Sequence, residues 1–163
     1  MADLATDPFT QVYTAIWALL EAAPTFTTIV KEGNRRLLDQ AFSPGLKRSR
    51  SIADWPQVEL VPIGGVANMT PTNKVSPITA TYGLTISSGS DQLSALHFPA
   101  QWQTIRALAR ASTTLGLSFV EDFRFASFDT VTDVDEALFQ GHGFVTRMEI
   151  IVRMQFTQAT FVD

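Results

Sequence analysis

The side chains that could do chemistry are few, and they do not gather into a reacting set. The 163-residue chain has no cysteine and two histidines, which removes a disulfide framework, a thiolate zinc site and a cysteine nucleophile at once. His97 stands beside Phe98 just ahead of an apolar helical pattern, where capping or packing suits an imidazole better than proton transfer. His142 lies between Gly141 and Gly143. A glycine-flanked imidazole can act as a mobile base, but no serine or aspartate has triad-like spacing to it, and a turn is the simpler reading. The acidic run Asp129, Asp133, Asp135 and Glu136 offers the oxygen ligands calcium takes. It lacks the Asp-x-Asp-x-Asp-Gly spacing and distal glutamate that wrap such an ion, so it reads as a solvated loop or the charged rim of a protein contact. Gly64-Gly65 follows a strand pattern without the further glycines or the Lys-Ser/Thr pair of a phosphate loop, and reads as a turn. Glu121, Asp122 and Glu149 fall on the polar sides of strands, where solvent or an interface is the plain role. No residue takes a catalytic assignment. The chain is read as non-enzymatic, with no cofactor, metal or small-molecule substrate.

Positive charge is local. Arg35, Arg36, Lys47, Arg48 and Arg50 are five of the twelve basic residues. Nucleic-acid contact is the sharp reading of such a cluster. Without interleaved aromatics or a helical stripe, an exposed loop pairing with an acidic neighbouring subunit is favoured. The net charge of −4 and pI near 5.1 argue the same way, because non-specific nucleic-acid binding needs a concentrated positive field.

The elements that must position these groups follow from periodicity. With 45% hydrophobic and 17% charged residues, the whole chain, residues 1–163, is expected to build one α+β domain around one core. The N-terminus carries no positive region ahead of an apolar run, and no stretch is long and apolar enough to span a bilayer, so neither secretion nor membrane insertion is expected. Asp7-Pro8 opens a helix whose apolar face is Phe9, Val12, Tyr13, Ile16, Trp17 and Leu20. After a kink at Pro24, Phe26, Ile29 and Val30 mark a second short helix stopped by Gly33-Asn34. Residues 35–56 have no period and read as a long loop. Val58 to Ile63 reads as a strand ending at the glycine pair. Ile78, Ala80, Tyr82, Leu84 and Ile86 alternate with small polar residues as a half-buried strand. Phe98, Trp102, Ile105, Leu108 and Ala109 predict a helix with Pro99 in its first turn and Trp102 in the core. A third strand is expected near residues 119–125. Phe144, Met148, Ile150, Val152, Met154 and Phe156 oppose Arg147, Glu149, Arg153 and Gln155 on a long final strand. The order lacks βαβ alternation. It predicts a mostly antiparallel sheet of about four strands with helices on one face, and leaves a polar second face available as a subunit interface.

Taken together, the segments DPFTQVYTAIWALLEAAPTFTTIVKEGNR, FPAQWQTIRALARA and GFVTRMEIIVRMQF, in that order around a long loop and a strand pair, resemble a small tail-terminator or tail-completion protein of a tailed bacteriophage. The resemblance implies an α+β subunit of a homohexameric ring that caps the tail tube and joins it to the head–neck connector. The location implied is the virion, after synthesis in the bacterial cytoplasm. Its partners would be further copies of itself, the tube protein and the connector, with DNA only passing through the lumen. The interface candidates are then Arg35, Arg36, Lys47, Arg48, Arg50, Asp129, Asp133, Asp135, Glu136, Arg147, Glu149 and Arg153. Another neck or minor tail protein is the nearest alternative, and a small ligand-binding or enzymatic domain, marked by convergent polar groups in a pocket, is the more distant one. Charge reversal at Arg48 and Arg50 is expected to weaken assembly while leaving the subunit folded. Light scattering at low salt that finds the oligomer unchanged in mass would count against the loop contact.

Overall fold

A computed structural model describes residues 7–36, 56–68, 75–89, 94–132 and 143–157. Helix α1 (Pro8–Glu21) starts as its first residues dictate. Asp7 is extended, its carboxylate accepts from the Thr10 amide at 2.9 Å, and Pro8 fills the first helical position. Val12, Tyr13, Ile16, Trp17 and Leu20 make one buried stripe. A second helix, α2 (Pro24–Ile29), and a 3₁₀ turn (Glu32–Asn34) lead into the two-residue strand β1 (Arg35–Arg36). The long strands are β2 (Gln57–Ala67), β3 (Val75–Gly89), β4 (Val120–Thr132) and β5 (Gly143–Thr157), with helix α3 (Ser94–Ala109) between β3 and β4.

The sheet order is β1-β2-β3-β5-β4. The four long strands are antiparallel throughout, and only the short β1 lies parallel to β2. Because side chains alternate along a strand, the register puts Ala80, Tyr82, Leu84 and Ile86 of β3 on the same face as Met148, Ile150, Val152 and Met154 of β5, and all are buried. The three helices cover that face, contributing Ile16, Leu20, Phe26 and Leu108 to a common core. The α+β reading therefore holds, with helices on one side; on the other side Gln57, Ser87 and Val145 are buried at one end, while Ile63, Val66, Arg147 and Arg153 are exposed.

Several expected boundaries move. Strand β2 continues through Gly64-Gly65 to Ala67 instead of turning there, with a register shift between Pro62 and Gly64. Close backbone approach explains the second glycine, since a Cβ on Gly65 would stand 2.6 Å from the Thr79 carbonyl oxygen. Strand β4 extends to Thr132, so Asp129 is a strand residue opposite Arg147, not part of a loop. The 35–56 segment begins with β1, and residues 37–55 lie outside the described residues. Helix α3 starts at Ser94, with Pro99 inside it. Its buried side is His97, Ala100, Thr104, Ala107 and Leu108, whereas Phe98 is 53% and Trp102 58% exposed. The cause is polar anchoring: His97 is bonded on both ring nitrogens, to Ser88 of β3 and Thr146 of β5, and the inward Thr104 hydroxyl is satisfied within the helix by the Ala100 carbonyl at 2.8 Å. Of the predicted apolar face, Leu108 is buried and Ile105 packs against the core, whereas hydrophobicity alone misplaces Phe98 and Trp102. Trp17→Ala is expected to cost roughly 3–5 kcal/mol in urea unfolding, and Trp102→Ala less than about 0.5 kcal/mol in the isolated subunit. Equal losses would contradict this placement.

Candidate functional site

The sheet face opposite the helices is where described polar groups and open space coincide. Residues from the outermost long strands, Val61 and Ile63 of β2 and Ser127 and Asp129 of β4, line one groove of about 650 Å³ with Gly83, Thr85, Arg147 and Glu149 between them. Strands on opposite sides of the sheet share a groove when the sheet curls toward the face opposite the helices. Register shifts at Pro62/Gly64, Val120/Asp122 and Phe125/Ser127 supply the local bend and extra twist. A second depression of about 430 Å³ on the same face runs from Val66 and Thr79 across Ile151 and Arg153 to Asp122 and Arg124.

The floor of this surface is small, the β2 rim apolar and the β4 wall charged. Arg153 Nε lies 3.0 Å from Glu121 Oε2, with both side chains substantially exposed, so the pair contributes less than about 1 kcal/mol. Arg147, Glu149, Asp129 and Arg124 have no ion-pair partner among the described residues, although Arg147 and Asp129 are cross-strand neighbours. Unspent charges beside an apolar rim on a concave sheet suit the side chains of another protein. Among the described residues no three histidine, aspartate or glutamate side chains cluster as metal ligands would.

Four of the interface candidates, Asp129, Arg147, Glu149 and Arg153, thus stand together on this face. Arg35 does not join them. Its side chain is only 13% exposed and is spent inside the subunit: Nε and Nη2 donate to the Val30 carbonyl at 3.2 and 3.0 Å, Nη1 meets Glu21 Oε1 at 3.4 Å, and the guanidinium lies over the Phe26 ring at 5.9 Å. Arg36 pairs with Glu59 in the parallel β1–β2 register. Lys47, Arg48, Arg50, Asp133, Asp135, Glu136 and His142 lie outside the described residues.

One constellation escaped the sequence reading because its members are far apart in the chain. His97 is fully buried, with Nδ1 2.9 Å from Ser88 Oγ and Nε2 2.8 Å from Thr146 Oγ1. Thr146 also contacts Thr130 Oγ1 at 2.9 Å and donates to Gln101 Oε1 at 3.3 Å. With Thr146 donating there, the assignment that satisfies every member has Nε2–H and the Thr130 hydroxyl donating to Thr146 and the Ser88 hydroxyl donating to Nδ1. A serine beside an imidazole resembles a nucleophile–base pair. Here no substrate can reach it, and no described carboxylate orients the ring. Its work is to pin α3 to β3 and β5.

Burial lowers the His97 pKa from 6.5 to about 4, because desolvation penalises the imidazolium. The unfolded chain therefore binds the proton more readily than the folded one. The contribution of neutral His97 is complete above about pH 6.5 and is lost as the pH falls toward 4, for a total of about 3 kcal/mol. Urea unfolding at pH 7, 5 and 4 is expected to show this extra loss in the native chain, while His97→Gln starts less stable and lacks the histidine-linked part of the decline. Parallel curves for the two proteins would rule the linkage out.

No protein-family model matches the chain, and no curated protein matches it in sequence. Solved structures do contain similar folds. One is a chain from the virion of a native gene transfer agent particle, aligned over 88% of this chain and 93% of that one, with a TM-score of 0.58 and 13% sequence identity. The arrangement of helices and sheet described above is thus one that a virion component also adopts.

Proposed function

We propose that this chain is a structural subunit of a phage-like particle, and specifically a tail-terminator or tail-completion protein whose copies form a ring, most simply a hexamer, between the tail tube and the head–neck connector. The observation that carries the reading is the fold likeness to a chain of a gene transfer agent virion over nearly the full length of both. The character of the sheet face opposite the helices agrees: an apolar rim beside charges that have no ion-pair partner among the described residues fits partners of protein surface rather than a small substrate. In this role the chain acts by occupying a position. The fold supplies a stiff block, the sheet face and adjoining loops supply contacts to tube, connector and neighbouring copies, and the overall acidity keeps DNA in the lumen from adhering.

An affinity tag on the chain in the producing cell tests this. Purified particles are expected to contain it in a small fixed number of copies, and gold labelling of the tag should mark the junction of head and tail. Particles that lack the chain would overturn the structural reading. Label along the whole tail or at its far tip would keep that reading and remove the terminator position.

A further inference from the structure

The two outer long strands are not equally open. β2 is guarded: β1 pairs with its start at Val58 and Glu59, Pro62 offers no amide hydrogen, and the register shifts between Pro62 and Gly64. β4 ends the sheet order, has no strand on its outer side among the described residues, and contains no proline, glycine or lysine. Its residues Ala126, Ser127, Phe128 and Asp129 are all exposed. Phe128 is 51% exposed. It stands opposite buried Met148 and stacks on Phe125, which packs against the core, so its ring is on the helix side although the residue also borders the open-face groove.

The bulge at Ala126, which has no partner in the β5 register, decides what this edge can pair with. Phe123, Phe125, Phe128 and Thr130 lie opposite Val152, Ile150, Met148 and Thr146 and share the helix side. Asp122, Arg124, Ser127 and Asp129 lie opposite Arg153, Ile151, Glu149 and Arg147 and share the other face. Because β5 runs regularly, the main-chain N–H and C=O groups within each set also point to the same side along the sheet. A regular strand can pair antiparallel with its own copy only between residues an even number apart in the chain. The extra residue at 126 reverses that parity, so Phe125 becomes equivalent to Phe128, and Arg124 to Asp129.

We propose that β4 pairs antiparallel with β4 of a second copy of this chain, about a two-fold axis between Ala126 and Ser127. On the helix side Phe125 then meets the second copy's Phe128, and by symmetry the reverse, which makes one row of aromatic rings across the joint. On the other face Arg124 meets the second copy's Asp129, and neither has an ion-pair partner among the described residues of its own subunit. Phe123 falls opposite Thr130 and Asp122 opposite Val131, so no carboxylate faces another. The adjacent registers are worse. An axis between Phe125 and Ala126 sets Asp122 against Asp129, and one between Ser127 and Phe128 opposes side chains of different faces. The contact is isologous and closes at two copies. It goes beyond the ring reading and does not rest on it: it covers the open edge of the free subunit.

The test uses the full-length chain with Arg124→Asp, with Asp129→Arg, with both together, and an equimolar mixture of the two single variants. Each is checked for native circular dichroism and followed by sedimentation velocity at low salt over a concentration series. The native chain is expected to dimerise. Either single reversal sets like charges opposite each other on both sides of the axis and should weaken the dimer about tenfold or more. The double variant and the mixture restore both ion pairs and should recover it, which loss of a charge alone would not do. Phe128→Ser disrupts the same joint without a charge, is expected to give a monomer, and takes over if a reversal loses its fold. A native chain monomeric at every concentration, single reversals that associate as it does, or a mixture no tighter than its components would each overturn the pairing. None of these results touches the virion reading, which stands or falls on the labelled particles.

Discussion

Strands β3 and β5 meet in fifteen consecutive cross-strand pairs without a register shift, from Val75 opposite Thr157 to Gly89 opposite Gly143. With a side-chain period of two, this pairing decides which residues are inside. Displacing β3 by one residue would exchange Tyr82 and Leu84 for Thr81 and Gly83 at the base of the helix layer, and displacing β5 would exchange Met148 and Ile150 for Arg147 and Glu149, burying charges with nothing to pair them. All three register shifts fall in the flanking pairings, β2 with β3 and β4 with β5. The centre sets the two faces, and the flanks bend without disturbing that choice.

The helix layer is held to this centre by a few directional bonds as well as by apolar packing. The Tyr82 hydroxyl, on β3, donates to the Phe9 carbonyl at 3.0 Å; burial first, and then Asp7, drives its pKa above the usual phenolic range, so it remains a donor. His97 ties α3 to β3 and β5, and Arg35 gathers α1, α2 and the end of the 3₁₀ turn around Val30 and Phe26. Each bond is worth about 1 kcal/mol net, but leaving one partner buried and unpaired would cost more. Together they fix the rotation of each helix. That rotation keeps the Phe98–Trp102 flank outside the core.

Much of this was legible in the sequence. The clean alternation from Ile78 to Ile86 and from Phe144 to Phe156 gave both central strands and their inward faces, and Asp7-Pro8 gave the start of α1. Two kinds of information were not. Polar residues whose partners come from distant strands, such as His97 and Thr146, look like surface residues until the fold joins them, and they displaced Phe98 and Trp102 from the expected core. Glycines are equally ambiguous: Gly64-Gly65 has the composition of a turn, and only the nearness of the Thr79 carbonyl shows that it belongs to a strand. The face opposite the helices is legible as polar, with Arg147, Glu149 and Arg153 upon it. Its curvature was not, because bulges leave no composition of their own.

The central pairing also governs how the chain reaches this state. Partners in β3 and β5 lie between 54 residues apart, for Gly89 and Gly143, and 82 apart, for Val75 and Thr157, so the pair that sets both faces closes a long stretch of chain. The entropy of that closure is spent before its contacts repay it. Hairpin pairing of β4 with β5 and of β2 with β3 joins nearer segments and can precede it, which makes docking of two preformed hairpins the slow step. Until they dock, the inner edges of β3 and β5 are as open as the outer ones, and on this account crowding during synthesis is a greater hazard to the chain than instability once folded.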